Sequence, residues 1–190
     1  MKKNGIQILV VDDDEIVREV VISLLSNEGY SVRAAKDGLD AIKILRMEDI
    51  HMVITDLRMP GADGIEVLKE AIKMEPDRAV IILTAFGTLD TALKAIREGA
   101  YDYMTKPFKM EEMVIRVNNA YERTLLVIKI RALVKSLREI LSNLMLFKGG
   151  DNNHHRVIMD LVDHVEKLNK LDILDKDEAS LIKERLIGEW

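Results

Sequence analysis

Four polar clusters, each at the end of an apolar run, carry the chemistry open to this chain. Asp12-Asp13-Asp14 follows Ile6–Val11, Asp56 follows His51–Thr55, Thr84 follows Ala79–Leu83, and Lys106-Pro107-Phe108 follows Tyr101–Thr105. Runs rich in Val and Ile read as strands covered on both faces. In an open α/β sheet the carboxyl ends of parallel strands are where sites assemble. Carboxylates, a hydroxyl and an ammonium gathered there suit the holding of a divalent cation and the passing of a phosphoryl group.

Each group has a role that its chemistry allows. Adjacent acids such as Asp12 and Asp13 repel when crowded unless a cation neutralises them; solvated loop acids are the plainer alternative. Asp14, at the mouth of a helix, reads as a cap. A carboxylate at a strand end, as Asp56 is, can act as a nucleophile toward phosphorus. The acyl phosphate so formed adds negative charge, which calls for a Mg²⁺ shared with Asp13. Magnesium takes oxygen ligands and few protein groups, and the backbone carbonyl of Arg58 is placed to be one more. The Thr84 hydroxyl could donate to a phosphoryl oxygen, with the small Ala85 leaving room. A cis peptide at Lys106-Pro107 would aim the ammonium inward.

The elements that position these groups alternate with little loop. Helical spacing follows each run: Glu15–Ser26, a helix after Asp37-Gly38, Gly64–Met74, Thr88–Glu98 and a last one from near Lys109, with Gly29, Pro76 and Gly99 as stops. Ser31–Ala35 supplies a further short strand. Five strands alternating with five helices predict a parallel sheet with helices on both faces.

Composition sets the bounds. The chain has 190 residues, 48% of them hydrophobic and 32% charged, the balance of a soluble globular protein. No apolar run reaches the roughly 18 residues that cross a bilayer, and Met1–Gly5 leads into a strand without a signal peptide. The lack of cysteine excludes disulfides and thiolate metal sites, and a cytoplasmic location is expected. Residues 1–122 carry 16 Lys+Arg against 22 Asp+Glu, and residues 123–190 carry 12 against 11. Neither part has the basic excess of an autonomous DNA-binding module.

The motifs VVDDDEIVRE, ITDLRMPGADG, IILTAFG and AYDYMTKPF resemble the receiver domain of two-component response regulators over residues 5–123. That resemblance implies a flavodoxin-like sheet of order 2-1-3-4-5 in a receiver domain over 1–123, with a helical extension over 124–190. It implies that Asp56 takes a phosphoryl group from the histidine of a sensor kinase, with Mg²⁺ required, in a signalling protein rather than an enzyme. Asp12 and Asp13 become the acidic pocket, Thr84 and Tyr103 the switch pair, and Lys106 the phosphate-sensing cation. The stretch TAFGTLDTALKAIREGAYDYMTKPF looks closest to receivers of the nitrogen-regulation type, which usually precede an ATPase domain; no Walker motif follows here.

Beyond Tyr121 the pattern changes. Leu126, Ile130, Leu133, Leu137, Ile140, Leu144 and Phe147 form an apolar seam in a helix over 124–147, which the fifth helix could run into unbroken. Helices over 154–171 and 176–187 follow, the last opening with Asp175 and Glu178 as a capping pair. The seam supports a homodimer, as does the face of the fourth helix, fifth strand and fifth helix; the alternative is a helix folded back on its own domain. The expected output is dimerisation or docking of a protein partner, without nucleic acid or membrane. Two other readings are a truncated transcriptional regulator and a phosphorelay intermediate, because His154-His155-Arg156-Val157 looks like a kinase phosphoacceptor box.

Overall fold

A computed structural model describes residues 5–85, 87–146 and 154–188, apart from the side chains of residues 141, 143–146, 154–157 and 187–188. The elements run β1 (Gln7–Val11), α1 (Glu15–Asn27), β2 (Ser31–Ala35), α2 (Gly38–Met47), β3 (Met52–Asp56), α3 (Gly64–Met74), β4 (Ala79–Thr84), α4 (Leu89–Arg97), β5 (Asp102–Thr105), α5 (Met110–Leu146), α6 (His154–Lys170) and α7 (Lys176–Gly188). Backbone contacts divide the chain into two compact units, Met1–Thr124 and Leu125–Trp190.

The first unit is built on one parallel sheet of order β2-β1-β3-β4-β5. Burial explains that order. Every residue of β3 and β4 is buried, and β1 is buried after Gln7. The less apolar β2 and β5, with exposed residues, take the edges. Apolar runs that alternate with helices can bury both faces only in this layered form. Leu9, Val53, Val80 and Ile82 from the strands pack with Val67, Leu68 and Ala71 of α3 in one core. Full burial of a side chain such as Leu68 contributes about 2–3 kcal/mol.

Side-chain caps set where the helices begin. Asp14 accepts hydrogen bonds from the N–H groups of Ile16 and Val17, and Asp37 does the same for Asp40. Asp63 with Glu66, and Thr88 with Thr91, close reciprocal capping boxes on α3 and α4. Gly29 and Gly99 end α1 and α4 at φ of 87° and 96°, where a side chain would be strained. The first turns of α5 dock through Tyr30, whose hydroxyl donates to Asn118 Oδ1 at 2.6 Å and whose ring meets Tyr121 edge-on. Further along, Arg123 donates to the Asp77 carbonyl and lies over the Tyr101 ring.

The second unit consists of helices. α5 continues into it without a break, as the unpunctuated sequence allows. His164 of α6 is buried, with Nε2 2.7 Å from Glu139 Oε2 and Nδ1 2.5 Å from the Asp160 carbonyl. Lys129 donates to the carbonyl of Asp172, and Asp175 and Glu178 form the expected capping box of α7. The apolar seam divides here. Leu126, Ile130 and Leu137 are exposed, while Leu133 and Ile140 are half-buried on the flank next to buried Ser136. Phe147 and the side chain of Leu144 lie outside the described residues.

Candidate functional site

Asp12 lies one residue beyond β1, and its carboxylate organises the loop around it. Its Oδ1 accepts the N–H of Asp14 at 3.1 Å, while Arg18 donates to its carbonyl at 2.7 Å. Asp56 ends β3 and is buried. Its Oδ2 accepts the N–H of Arg58 at 2.7 Å. Gly64 makes that strand end possible: a Cβ there would stand 2.1 Å from the Asp56 carbonyl oxygen, so only glycine lets the start of α3 approach so closely.

Lys106 joins the two acids. Its Nζ lies 2.6 Å from Asp12 Oδ2 and 2.9 Å from Asp56 Oδ1. The backbone N–H of Lys106 donates to the Thr84 carbonyl at 2.7 Å, and the Lys106-Pro107 bond is cis. Thr84 itself is fully buried beside Thr105 of β5. Burial pushes the Asp12 carboxyl above its ordinary range, against the pull of the nearby ammonium. Burial also disfavours the Lys106 ammonium, but hydrogen bonds and charge from Asp12 and Asp56 outweigh it and hold the group above an ordinary lysine.

Asp12, Asp56, Lys106 and the strand end at Thr84 thus meet at one edge of the sheet. Asp13 is exposed, and the side chain of Arg58 is exposed while its N–H reaches Asp56. Tyr103 is half-buried, with its hydroxyl 2.8 Å from Thr91 Oγ1 of α4. Among the described residues no three carboxylates or histidines are grouped as a ready-made metal cage. The donor set still fits a hard cation: the available ligands are oxygen atoms, and one ammonium opposes three carboxylates, Asp12, Asp13 and Asp56. His154 and His155 open α6, and their side chains lie outside the described residues.

Sequence reasoning missed three contributors. Arg18 fixes the Asp12 backbone, Thr91 engages Tyr103, and Gly64 admits α3 against Asp56. Gly64 stood inside the ITDLRMPGADG motif, but Arg18 and Thr91 carry no local mark of their targets.

The chain matches the family model of the response regulator receiver domain over residues 8–118. It is 38% identical over 121 residues to an NtrX-like response regulator of Rickettsia bellii, covering 63% of this chain and 25% of that protein. It is 37% identical over 124 residues to the transcriptional regulatory protein ZraR of Klebsiella oxytoca, covering 65% and 28%. The chain therefore matches about a quarter of the length of these curated relatives. Among solved structures, a response regulator receiver domain protein of Clostridium thermocellum aligns with a TM-score of 0.61 at 37% identity, covering 65% of this chain and 99% of that one. The beryllofluoride-activated NtrC4 receiver domain dimer aligns at 0.59 and 34% identity, covering 62% and 98%.

Proposed function

This chain belongs to the response regulator receiver domain family of two-component systems, and from that premise we propose that Asp56 accepts a phosphoryl group and thereby switches a helical docking output. The Lys106 ammonium shared between Asp12 and Asp56 carries this reading. An oxygen of the Asp56 carboxylate attacks phosphorus of a phosphohistidine on a sensor kinase. A P–O bond forms, the P–N bond breaks, and its electron pair returns to the imidazole nitrogen. Lys106 keeps the nucleophile in place and then faces the phosphoryl oxygens as a point charge.

Receiver domains generally require Mg²⁺ for this chemistry. Asp12, Asp13, Asp56 and the carbonyl of Arg58 are the groups that would hold it here. When bound, the ion offsets the charge that gathers on the attacking and transferred oxygens. The transferred group adds a charge of about −2 to a site already rich in carboxylates. Thr84 supplies a hydroxyl to that group, and Tyr103 leaves Thr91 and turns inward, changing the surface of α4 and β5.

The protein acts as a signalling switch in the cytoplasm rather than as a turnover enzyme, and its output does not involve DNA. The near balance of charge over 123–190 supports this, and no helix among the described residues is long and apolar enough to cross a membrane. A homodimer through the face of α4, β5 and the start of α5 is supported by exposed Leu93, Ile96 and Ile115 there.

Two measurements test the reading. Incubation with acetyl phosphate and Mg²⁺ is expected to give one acid-stable, base-labile phosphoryl group at Asp56, located by mass spectrometry; label on a histidine instead would favour a relay. Thr84→Ala is expected to keep the label but lose the change in Tyr103 fluorescence and in oligomeric state. Normal output from the labelled variant would sink the switch.

A further inference from the structure

Asp13 is exposed, yet its backbone is held from both sides. Peptide units are planar, so the two soft dihedrals of Asp13 lie between the plane before it and the plane after it. The plane before it carries the Asp12 carbonyl, which accepts a hydrogen bond from Arg18 Nη1 at 2.7 Å. The plane after it carries the Asp14 N–H, which donates to Asp12 Oδ1 at 3.1 Å. With both planes pinned, the protein alone sets the direction in which Asp13 leaves the backbone.

The pins are anchored in turn. The Asp12 N–H donates to the Ala35 carbonyl of β2 at 3.3 Å, and its Oδ2 lies 2.6 Å from Lys106 Nζ. The N–H of Arg18 donates to the Asp14 carbonyl at 2.9 Å, and the Asp14 side chain caps α1 on Ile16 and Val17. Half-buried Arg18 therefore reaches back from α1 and closes residues 12–18 into a ring that contains Asp13. By charge alone, a cation beside a Mg²⁺ site weakens it. By geometry this one strengthens it, because a ligand already held in place loses less backbone freedom on binding.

We infer that Arg18 is a positioning residue for the Mg²⁺ site: it fixes the Asp12–Asp13 peptide and so presents the Asp13 carboxylate on an ordered backbone. Groups outside the ligand shell that orient a ligand commonly set metal affinity in this way. The inference deepens the Mg²⁺ reading proposed above and rests on it. Charge and positioning predict opposite signs when the guanidinium is removed, and that makes them separable.

The test is a Mg²⁺ titration of the full chain, unphosphorylated, followed on the backbone amide NMR signals of Asp13 and Asp14. Arg18→Met removes the guanidinium and keeps good helix propensity. It is expected to bind Mg²⁺ about tenfold more weakly than the wild type. In the metal-free variant the Asp14 N–H is expected to exchange with solvent faster, a difference that saturating Mg²⁺ removes. Lys36→Met takes the same charge from an exposed position one residue beyond Ala35, and its affinity should stay within about twofold of the wild type. Urea unfolding of each variant tells loss of fold from loss of affinity. If Arg18→Met loses the fold, Arg18→Gln carries the same comparison.

Mg²⁺ affinity in Arg18→Met equal to the wild type, or tighter, overturns the inference. So does an equal weakening in Lys36→Met, which makes the loss unspecific to the Asp12–Asp13 peptide. Weaker binding with Asp14 exchange unchanged also overturns it, since the backbone was then never released. A wild type that binds no Mg²⁺ removes the metal reading and the inference with it. A wild type that binds, beside an Arg18→Met that binds alike, removes the inference alone.

Discussion

In the unit that ends at Thr124, twelve large side chains from Ile6 to Met113 are fully buried, and the buried polar groups, Thr124 of α5 apart, gather at one sheet edge. In the unit that begins at Leu125, the buried apolar side chains among the described residues are Val165 and Ala179, while Leu126, Ile130, Val134, Leu137, Met159 and Leu181 are exposed. Its buried polar groups differ too. His164 is satisfied by Glu139 and Asp160, yet Ser136 Oγ is buried with no hydrogen-bond partner among the described residues. The first unit has a deep apolar core although Ile16, Leu39, Met47 and Leu89 remain exposed on its surface. Among its described residues, the second unit buries few apolar side chains. Regions with few buried apolar contacts open at lower free energy than a packed core does.

The comparison can be broken at its strongest point first. Asp56→Asn is expected to abolish phosphoryl uptake from acetyl phosphate, by phosphate-affinity electrophoresis, while leaving the thermal transition of the second unit untouched. Lys106→Ala leaves the Asp12 and Asp56 carboxylates facing each other, and urea unfolding should show the first unit weakened by about 3 kcal/mol. Added Mg²⁺ is expected to restore part of that loss. Leu68→Ala removes a fully buried side chain and should weaken the same transition by about 2.5 kcal/mol.

Val165→Ala is expected to cost the second unit on the order of 1.5 kcal/mol and to leave the first transition in place. A single cooperative transition moved equally by Leu68→Ala and Val165→Ala would show that the units are not separate. The smallest effect concerns acid. A hydrogen bond from His164, with its charge, holds the Glu139 carboxyl below the ordinary glutamate range. A depressed carboxyl stabilises the fold above its unfolded value, and that stabilisation fades as pH falls through the folded value. Acid below the ordinary carboxylate range should therefore lower the second thermal transition by a small amount, and Glu139→Gln should reduce that dependence, leaving the share of Glu166, which a hydrogen bond from Lys183 also holds low.

The fold was readable because its signals are local. An apolar run followed by a polar residue marks both a strand and its functional end, and Asp12, Asp56, Thr84 and Lys106 all stand where that rule puts them. The strand ends were read a residue short at β3 and β4, where Asp56 and Thr84 close the strands rather than follow them. Contacts between distant residues were not readable. Nothing near Arg18 says that it holds the Asp12 carbonyl, and nothing near Thr91 points to Tyr103. The seam of α5 was ambiguous for a further reason: residues three and four apart share a face whether the neighbour is α6 or another chain. In the structure Leu133 and Ile140 are half-buried while Leu126 and Ile130 are exposed.

The Lys106–Asp12 bridge spans 94 positions of the chain. Asp12 is made early and Lys106 late, so during synthesis the proposed acceptor site cannot exist until nearly the whole first unit has left the ribosome and its sheet has closed. A growing or misfolded chain carries Asp56 but not the ammonium that addresses it. If Asp56 is the acceptor proposed above, competence to receive a signal is a certificate of completed folding, issued by the last strand to the first.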